Sequence, residues 1–338
     1  MIQVAVLVPQ GDVTPGTILG PVQLFGQVND ALQSHGEAPR FRVELVGVDG
    51  TPVVYGGFCT ITPQASLATA RDPDLIVIPA TQGPAERVAT VNQDFLPWIC
   101  RHHARGSEVA SLCLGAMLLA ATGLLEGRRA TTHWIATGAF RRAYPGLHLV
   151  SDAVVTDERG IYTSGGALSF WNLLLYLVEK YVGRPWAIQA AKFFEIEVDR
   201  HSQAGFLIFQ GQKDHGDAGV LAIQEYLEHH FSEPVTVDDL SDRFAVGRRT
   251  LERRFRSATS ESVGVYLQRV RIEAAKKGLE SGSTVTEVLF QVGYHDPRAF
   301  RSTFRRFTGM SPAEYLARYR RFTSGGKNLP SAVGASKN

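Results

Sequence analysis

Val246-Gly247-Arg248-Arg249-Thr250-Leu251-Glu252-Arg253-Arg254-Phe255 is the stretch from which the rest of the chain can be read. At about 100° per residue, Leu251 and Phe255 fall on one side of a helix, and Arg249, Arg253 and Arg256 on the other. The same arrangement returns at an offset of 49 residues, with Arg298, Phe300, Phe304 and Arg305 echoing Arg249, Leu251, Phe255 and Arg256. In that second copy Phe300, Phe304 and Phe307 share a side, opposed by Arg298, Arg301 and Arg305. The preceding segments repeat as well: Val235 to Leu240 is echoed by Thr284 to Leu289. Thr236 can cap the first helix of one copy, and Ser283 or Thr284 that of the other. Gly247 and Gly293 mark the tight turns between helices. Each copy therefore reads as a helix-turn-helix unit.

Helical geometry gives these units a chemistry. The apolar stripe anchors the second helix to its own small core. The arginine side is left for a DNA major groove, where guanidinium groups suit phosphates and guanine edges. A single basic amphipathic helix is often no more than a solvated surface, but two copies in equivalent positions argue for a shared task. The linking helix, Val263–Leu279, would be about 25 Å long at 1.5 Å per residue. That length could place two reading helices about one DNA turn apart, some 34 Å.

Charge supports the same division of labour. Residues 233–322 hold 17 Lys/Arg against 11 Asp/Glu, whereas residues 1–232 hold 16 against 22. A basic block behind an acidic one points to contact with a polyanion at the back end alone. The apolar fraction of 44% and charged fraction of 20% are those of a globular chain. The most apolar run, Leu112 to Leu125, is broken by Gly115 and Gly123 and is too short to span a bilayer. Without a secretory signal, and with three cysteines at no metal-ligand spacing, the chain reads as cytoplasmic, with no metal and no cofactor.

The first half alternates strands and helices. Ile2–Val8, Phe41–Val48, Leu75–Pro79 and Glu108–Leu112 are apolar or β-branched runs, and Pro21–Leu32 and Gly115–Ala121 are helical. Such alternation predicts a mainly parallel sheet with helices on both faces, a flavodoxin-like α/β domain. Val150–Thr163 reads as a hairpin and Phe170–Tyr181 as a core helix. Within this domain, Glu108 to Ala116 reads as a strand that turns sharply with Cys113 at its tip. Such an elbow can expose a nucleophile at a helix N-terminus. His133 is a candidate base in the same domain, although a buried, inert cysteine is the commoner case.

Residues 218–319 resemble the AraC/XylS-type DNA-binding domain over its whole length. The likeness rests on Val246 to Phe255 and on Val285 to Tyr315, the latter closing in Phe307-Thr308-Gly309-Met310-Ser311-Pro312-Ala313-Glu314-Tyr315. The resemblance implies that the second helix of each unit reads DNA, and it places that role on Arg249, Thr250, Arg253, Arg298, Arg301 and Arg305. Residues 1–183 resemble the PfpI-type, class I glutamine-amidotransferase-like domain, through the Cys113 elbow and Thr163-Ser164-Gly165-Gly166. Together the two halves resemble a GlxA-type regulator, whose front domain senses or dimerises rather than catalyses. Enzymatic relatives carry an acidic residue after the first strand, but Val13 to Gly20 contains none and Asp12 lies too early.

The sequence thus predicts a sensing or dimerising domain over 1–183, a connector over 184–216, an all-α DNA-binding domain over 217–319 and a disordered tail over 323–338. Double-stranded DNA is the expected partner, together with a small-molecule effector and a second copy of the chain, with no membrane. Cys113 and His133 mark the expected ligand pocket and no residue is assigned to catalysis. The alternatives are a cysteine-dependent hydrolase or amidase attached to a DNA-binding domain, and a redox sensor acting through Cys113.

Overall fold

The computed structural model describes residues 1–200 and 202–319, so the tail expected over 323–338 lies outside the described residues. The chain divides into two compact units, one ending at Ala204 and the other beginning at Gly205.

The front unit begins β1 (Ile2–Leu7), α1 (Gly16–Ser34), β2 (Phe41–Gly47), β3 (Val53–Tyr55), β4 (Cys59–Ile61), β5 (Ala65–Ser66) and β6 (Leu75–Ile78). It continues α2 (Ala85–Val91), α3 (Phe95–Ala104), β7 (Glu108–Ser111), α4 (Ala116–Ala121), β8 (Arg129–Ala130), α5 (Thr137–Ala143) and β9 (His148–Leu149). It closes with β10 (Val155–Asp157), β11 (Ile161–Ser164), α6 (Ser169–Val182) and α7 (Arg184–Phe193). Seven strands form the main sheet in the order β10-β11-β7-β6-β1-β2-β5, and only the edge pair β10–β11 is antiparallel.

Alternate residues of the central strands feed two separate cores, as the two-residue period of a strand requires. Val4, Val6, Leu75 and Val77 pack with Leu24, Phe25, Leu173 and Leu177 on one face of the sheet. Ala5, Leu7, Ile76 and Ile78 pack with Phe95, Trp98, Met117 and Leu118 on the other. The α/β architecture expected from the alternating pattern is therefore the one observed. The stretch expected as a connector, 184–216, is divided between the two units after Ala204. Residues 184–204, including α7, pack into the front unit, and Ala187, Ala190 and Ala191 lie in its core.

The back unit contains α8 (Ala218–His229), α9 (Val237–Arg243), α10 (Arg248–Thr259), α11 (Val263–Glu280), α12 (Val285–Gln291), α13 (Pro297–Thr308) and α14 (Pro312–Arg318). It has two small cores. Leu240, Leu251 and Phe255 centre the first, and Val288, Phe300 and Phe304 the second. The long helix α11 joins them, giving Tyr266, Leu267 and Val270 to one and Ile272, Ala275 and Leu279 to the other. Its 18 residues span about 27 Å.

The internal repeat is real but has two offsets. Thr236 caps α9 in a reciprocal capping box with Asp239, and Thr284 caps α12 in the same way with Glu287. Thr236 therefore corresponds to Thr284, one residue out of step with the match of Leu251 to Phe300, so the second turn carries one additional residue. Both expected glycines lie in the turns, but they play different parts there. Gly293 has φ 76°, and a Cβ there would meet the Ser232 carbonyl oxygen at 2.4 Å. In the first copy the left-handed residue is Ala245, at φ 50°, whereas Gly247 is the ordinary N-cap of α10.

Candidate functional site

The second helices of the two units separate their residues as helical geometry demands. Leu251, Phe255, Phe300 and Phe304 are fully buried, and they tether α10 and α13 to their respective cores. Arg249, Thr250, Arg253, Arg298, Arg301 and Arg305 are all exposed. Partnership separates the arginines further. Arg248 bonds Asp238 at 3.1 Å, Arg254 bonds Asp217 through two nitrogens, and Arg306 bonds Gln268 at 2.6 Å. Arg249, Arg253, Arg256, Arg298, Arg301 and Arg305 have no ion pair within 4.0 Å among the described residues. Asp217 is held down to about 2 by its hydrogen bonds from Arg254 and from the Val220 amide. It therefore stays charged and keeps Arg254 engaged. The free arginines form one face on each helix, and the engaged ones lie off it.

In the front unit the elbow exists. Cys113 follows β7 with φ 55°, a left-handed conformation rare for a residue with a side chain. Its N–H donates to Ser164 Oγ at 3.0 Å, and its carbonyl accepts from the Thr132 hydroxyl at 3.0 Å. Cys113 is only 7% exposed. Burial pushes its pKa above the ordinary thiol value, against the opposing pull of the Ala167 and Leu114 backbone N–H groups. A low-pKa nucleophile needs the opposite balance.

His133 is half-buried, and burial lowers its pKa, favouring the neutral ring. Its Nδ1 accepts from the Ile135 N–H at 3.1 Å, and it makes no hydrogen bond to Cys113. The segment after β1 places no carboxylate at the elbow. Asp12 is exposed, and the buried hydroxyl of Thr17 donates to the Thr14 carbonyl and accepts from the Ala80 amide. The two expected pocket residues thus belong to one end of the sheet but are not assembled as a nucleophile and base.

Sequence reasoning missed two features of that end. The sheet order places β7 between β6 and β11, so Cys113 leaves the sheet between the segments holding Thr81 and Ser169. Thr81 Oγ1 and Ser169 Oγ are both buried and have no hydrogen-bond partner among the described residues. Orphaned buried hydroxyls call for an explanation, but an isolated Thr or Ser gives no signal in a sequence. The second is Gln203, 1% exposed, within a stretch that reads as linker.

Comparisons with known proteins agree with both halves. Residues 240–318 match the helix-turn-helix domain family, and residues 27–180 match the DJ-1/PfpI family. The chain is 27% identical over 304 residues to the HTH-type transcriptional regulator CdhR of Pseudomonas aeruginosa, covering 89% of this chain and 88% of that one. It is 29% identical over 163 residues to isonitrile hydratase of Pseudomonas putida, covering 48% of this chain and 67% of that enzyme. A solved structure of a candidate transcriptional regulator from Vibrio parahaemolyticus shares the fold, with a TM-score of 0.51 at 21% identity. That match covers 57% of this chain and 98% of the other.

Proposed function

The chain belongs to the GlxA-type regulators of the AraC family, and from that premise we propose how it works as a DNA-binding transcription regulator. Arg249, Thr250 and Arg253 of α10 contact one major-groove segment, and Arg298, Arg301 and Arg305 of α13 contact the next. The observation that carries this reading is the partition of the arginines. Those on one face of each helix make no ion pair within 4.0 Å among the described residues, while Arg248, Arg254 and Arg306 are already engaged. An unpaired guanidinium on a rigid helix is ready for a phosphate or a guanine edge.

The front domain, on this reading, is not catalytic. It binds a small-molecule effector, pairs two chains, or does both. Ligands of open α/β sheets sit beyond the carboxyl ends of the strands, where Cys113, Thr81 and Ser169 follow three adjacent strands. A buried thiol with a raised pKa and a histidine bonded elsewhere suit a ligand wall better than a nucleophilic pair.

Selection of duplexes from a random pool with the full chain, followed by footprinting, tests the main claim. The expected footprint covers two adjacent major-groove segments per chain. With six to ten phosphates neutralised, affinity should fall by about 10³ or more between 50 and 200 mM salt. Recovery of no consistent sequence, or binding indifferent to salt, would overturn the reading.

A further inference from the structure

Gln203 is the last buried polar residue before the boundary between the units, and its amide is unusually well engaged. Its Oε1 accepts from the Gly166 N–H at 3.0 Å. Its Nε2 faces the carbonyls of Thr132 and Ser151 at 3.0 Å, and that of Ala153 at 3.2 Å. Its own N–H donates to the Asp152 carbonyl at 2.8 Å. A glutamine this buried and this fully bonded is an anchor, because freeing it would strand several buried polar groups.

The groups it holds are those around the elbow. Thr132, whose carbonyl faces Gln203, donates its hydroxyl to the Cys113 carbonyl. Gly166, which donates to Gln203, precedes Ala167, whose N–H faces the Cys113 thiol. The two glycines of this loop are pressed from both directions. A Cβ on Gly166 would lie 2.4 Å from the His133 ring, and one on Gly165 would lie 2.8 Å from the Gln203 amide. The Gly165–Ala167 loop is thus wedged among Cys113, His133 and Gln203.

Within the back unit, the residues that follow are anchored in their turn. The Leu207 carbonyl accepts from Lys276, and the Phe209 N–H donates to Glu273 at 3.1 Å. Lys276 and Glu273 both belong to α11, the helix shared by the two helix-turn-helix cores. Three residues, Ala204 to Phe206, lie between Gln203 and Leu207.

We propose that Gln203 is the coupling residue of this regulator: a small molecule that shifts the Gly165–Ala167 loop withdraws the Gly166 N–H from the Gln203 Oε1 and so loosens the segment leading to α11. The inference rests on the reading that the front domain holds its ligand at the Cys113 elbow. Coupling then needs no change at the reading helices themselves, only a change in what holds the helix that joins them.

The test needs no knowledge of the ligand. Gly165→Ala pushes on the far end of the Gln203 side chain while leaving the linker sequence intact, and Gln203→Ala removes that side chain directly. In the full chain, each should speed amide exchange at residues 204–209 by about tenfold or more. Each should change the Kd for the selected duplex by about fivefold or more, and the double variant should do no more than either alone. Gln203→Met keeps the buried volume and drops the amide's bonds, so it decides the matter if Gln203→Ala disturbs folding. Unchanged exchange in Gly165→Ala and Gln203→Met overturns the proposal. So does faster exchange with an unaltered Kd, or a double variant showing the sum of both effects. If no duplex is selected at all, the DNA-binding reading fails, while the exchange data still report whether Gln203 holds the linker.

Discussion

The arginine faces of α10 and α13 and the thiol elbow after β7 treat hydrogen-bonding capacity in opposite ways. On α10 and α13 the residues proposed to contact DNA are exposed, and their arginines make no ion pair within 4.0 Å among the described residues. At the elbow, Cys113 is buried, with its amide bonded to Ser164 and its carbonyl to Thr132, and His133 is capped on Ile135. Unspent donors on a rigid surface are available to another molecule. Donors already spent inside a core give it shape, and changes in that shape can be passed on. On the proposed reading, the difference separates a contact surface from a control site, although both stand on well-formed elements.

Removing the support of the contact surface should break the comparison most severely. Phe304 is fully buried against Phe300 and Tyr315. Phe304→Ala should therefore cost about 3–5 kcal/mol. Hydrogen exchange across 285–318 would show it, and the footprint should shrink to the segment read by α10. A full-length footprint would mean that α13 does not read DNA.

Adjacent arginines sharpen the contrast. Arg253→Ala should weaken binding to the selected duplex by about 1–3 kcal/mol and leave thermal unfolding unchanged. Arg254→Ala should do the reverse, removing the Asp217 partner and lowering the unfolding temperature slightly, as loss of an exposed ion pair does, with DNA affinity unchanged. Equal losses of DNA affinity from the two changes would erase the distinction between free and engaged arginines.

Reactivity probes the other side. The raised pKa of Cys113 leaves less thiolate at neutral pH than an ordinary cysteine has. Iodoacetamide should therefore modify it more slowly than free cysteine at pH 7, with the rate climbing only at alkaline pH. Faster modification would revive the hydrolase and redox-sensor readings.

The smallest effect concerns Asp217. Because its folded-state pKa is depressed to about 2, its contribution to stability is present above the ordinary carboxylate range. That contribution fades as pH falls from about 4 towards 2. Asp217→Asn should flatten that part of the stability profile in an acid-unfolding series.

The repeat shows how far local rules reach. Apolar and basic faces of a helix follow from residue spacing alone, so Leu251, Phe255, Phe300 and Phe304 were legible as core, and the six site residues as surface. The offset of the repeat was legible only in part, because a turn of one more residue changes no periodicity. Only the capping boxes at Thr236 and Thr284 disclose it. The left-handed Ala245 was hidden for a similar reason, since glycine at 247 is the stronger turn signal.

By itself, then, the sequence determined the two architectures, the tandem basic helices and the position of the elbow, because each is written in spacings of a few residues. The tertiary structure alone decided which arginines are engaged, whether Cys113 and His133 are bonded to each other, and what Gln203 holds. Those outcomes depend on partners distant along the chain: Asp217 for Arg254, Ser164 for Cys113, and Thr132 and Gly166 for Gln203. No periodicity records such pairings, because they arise only when the folded chain brings the partners within hydrogen-bond reach.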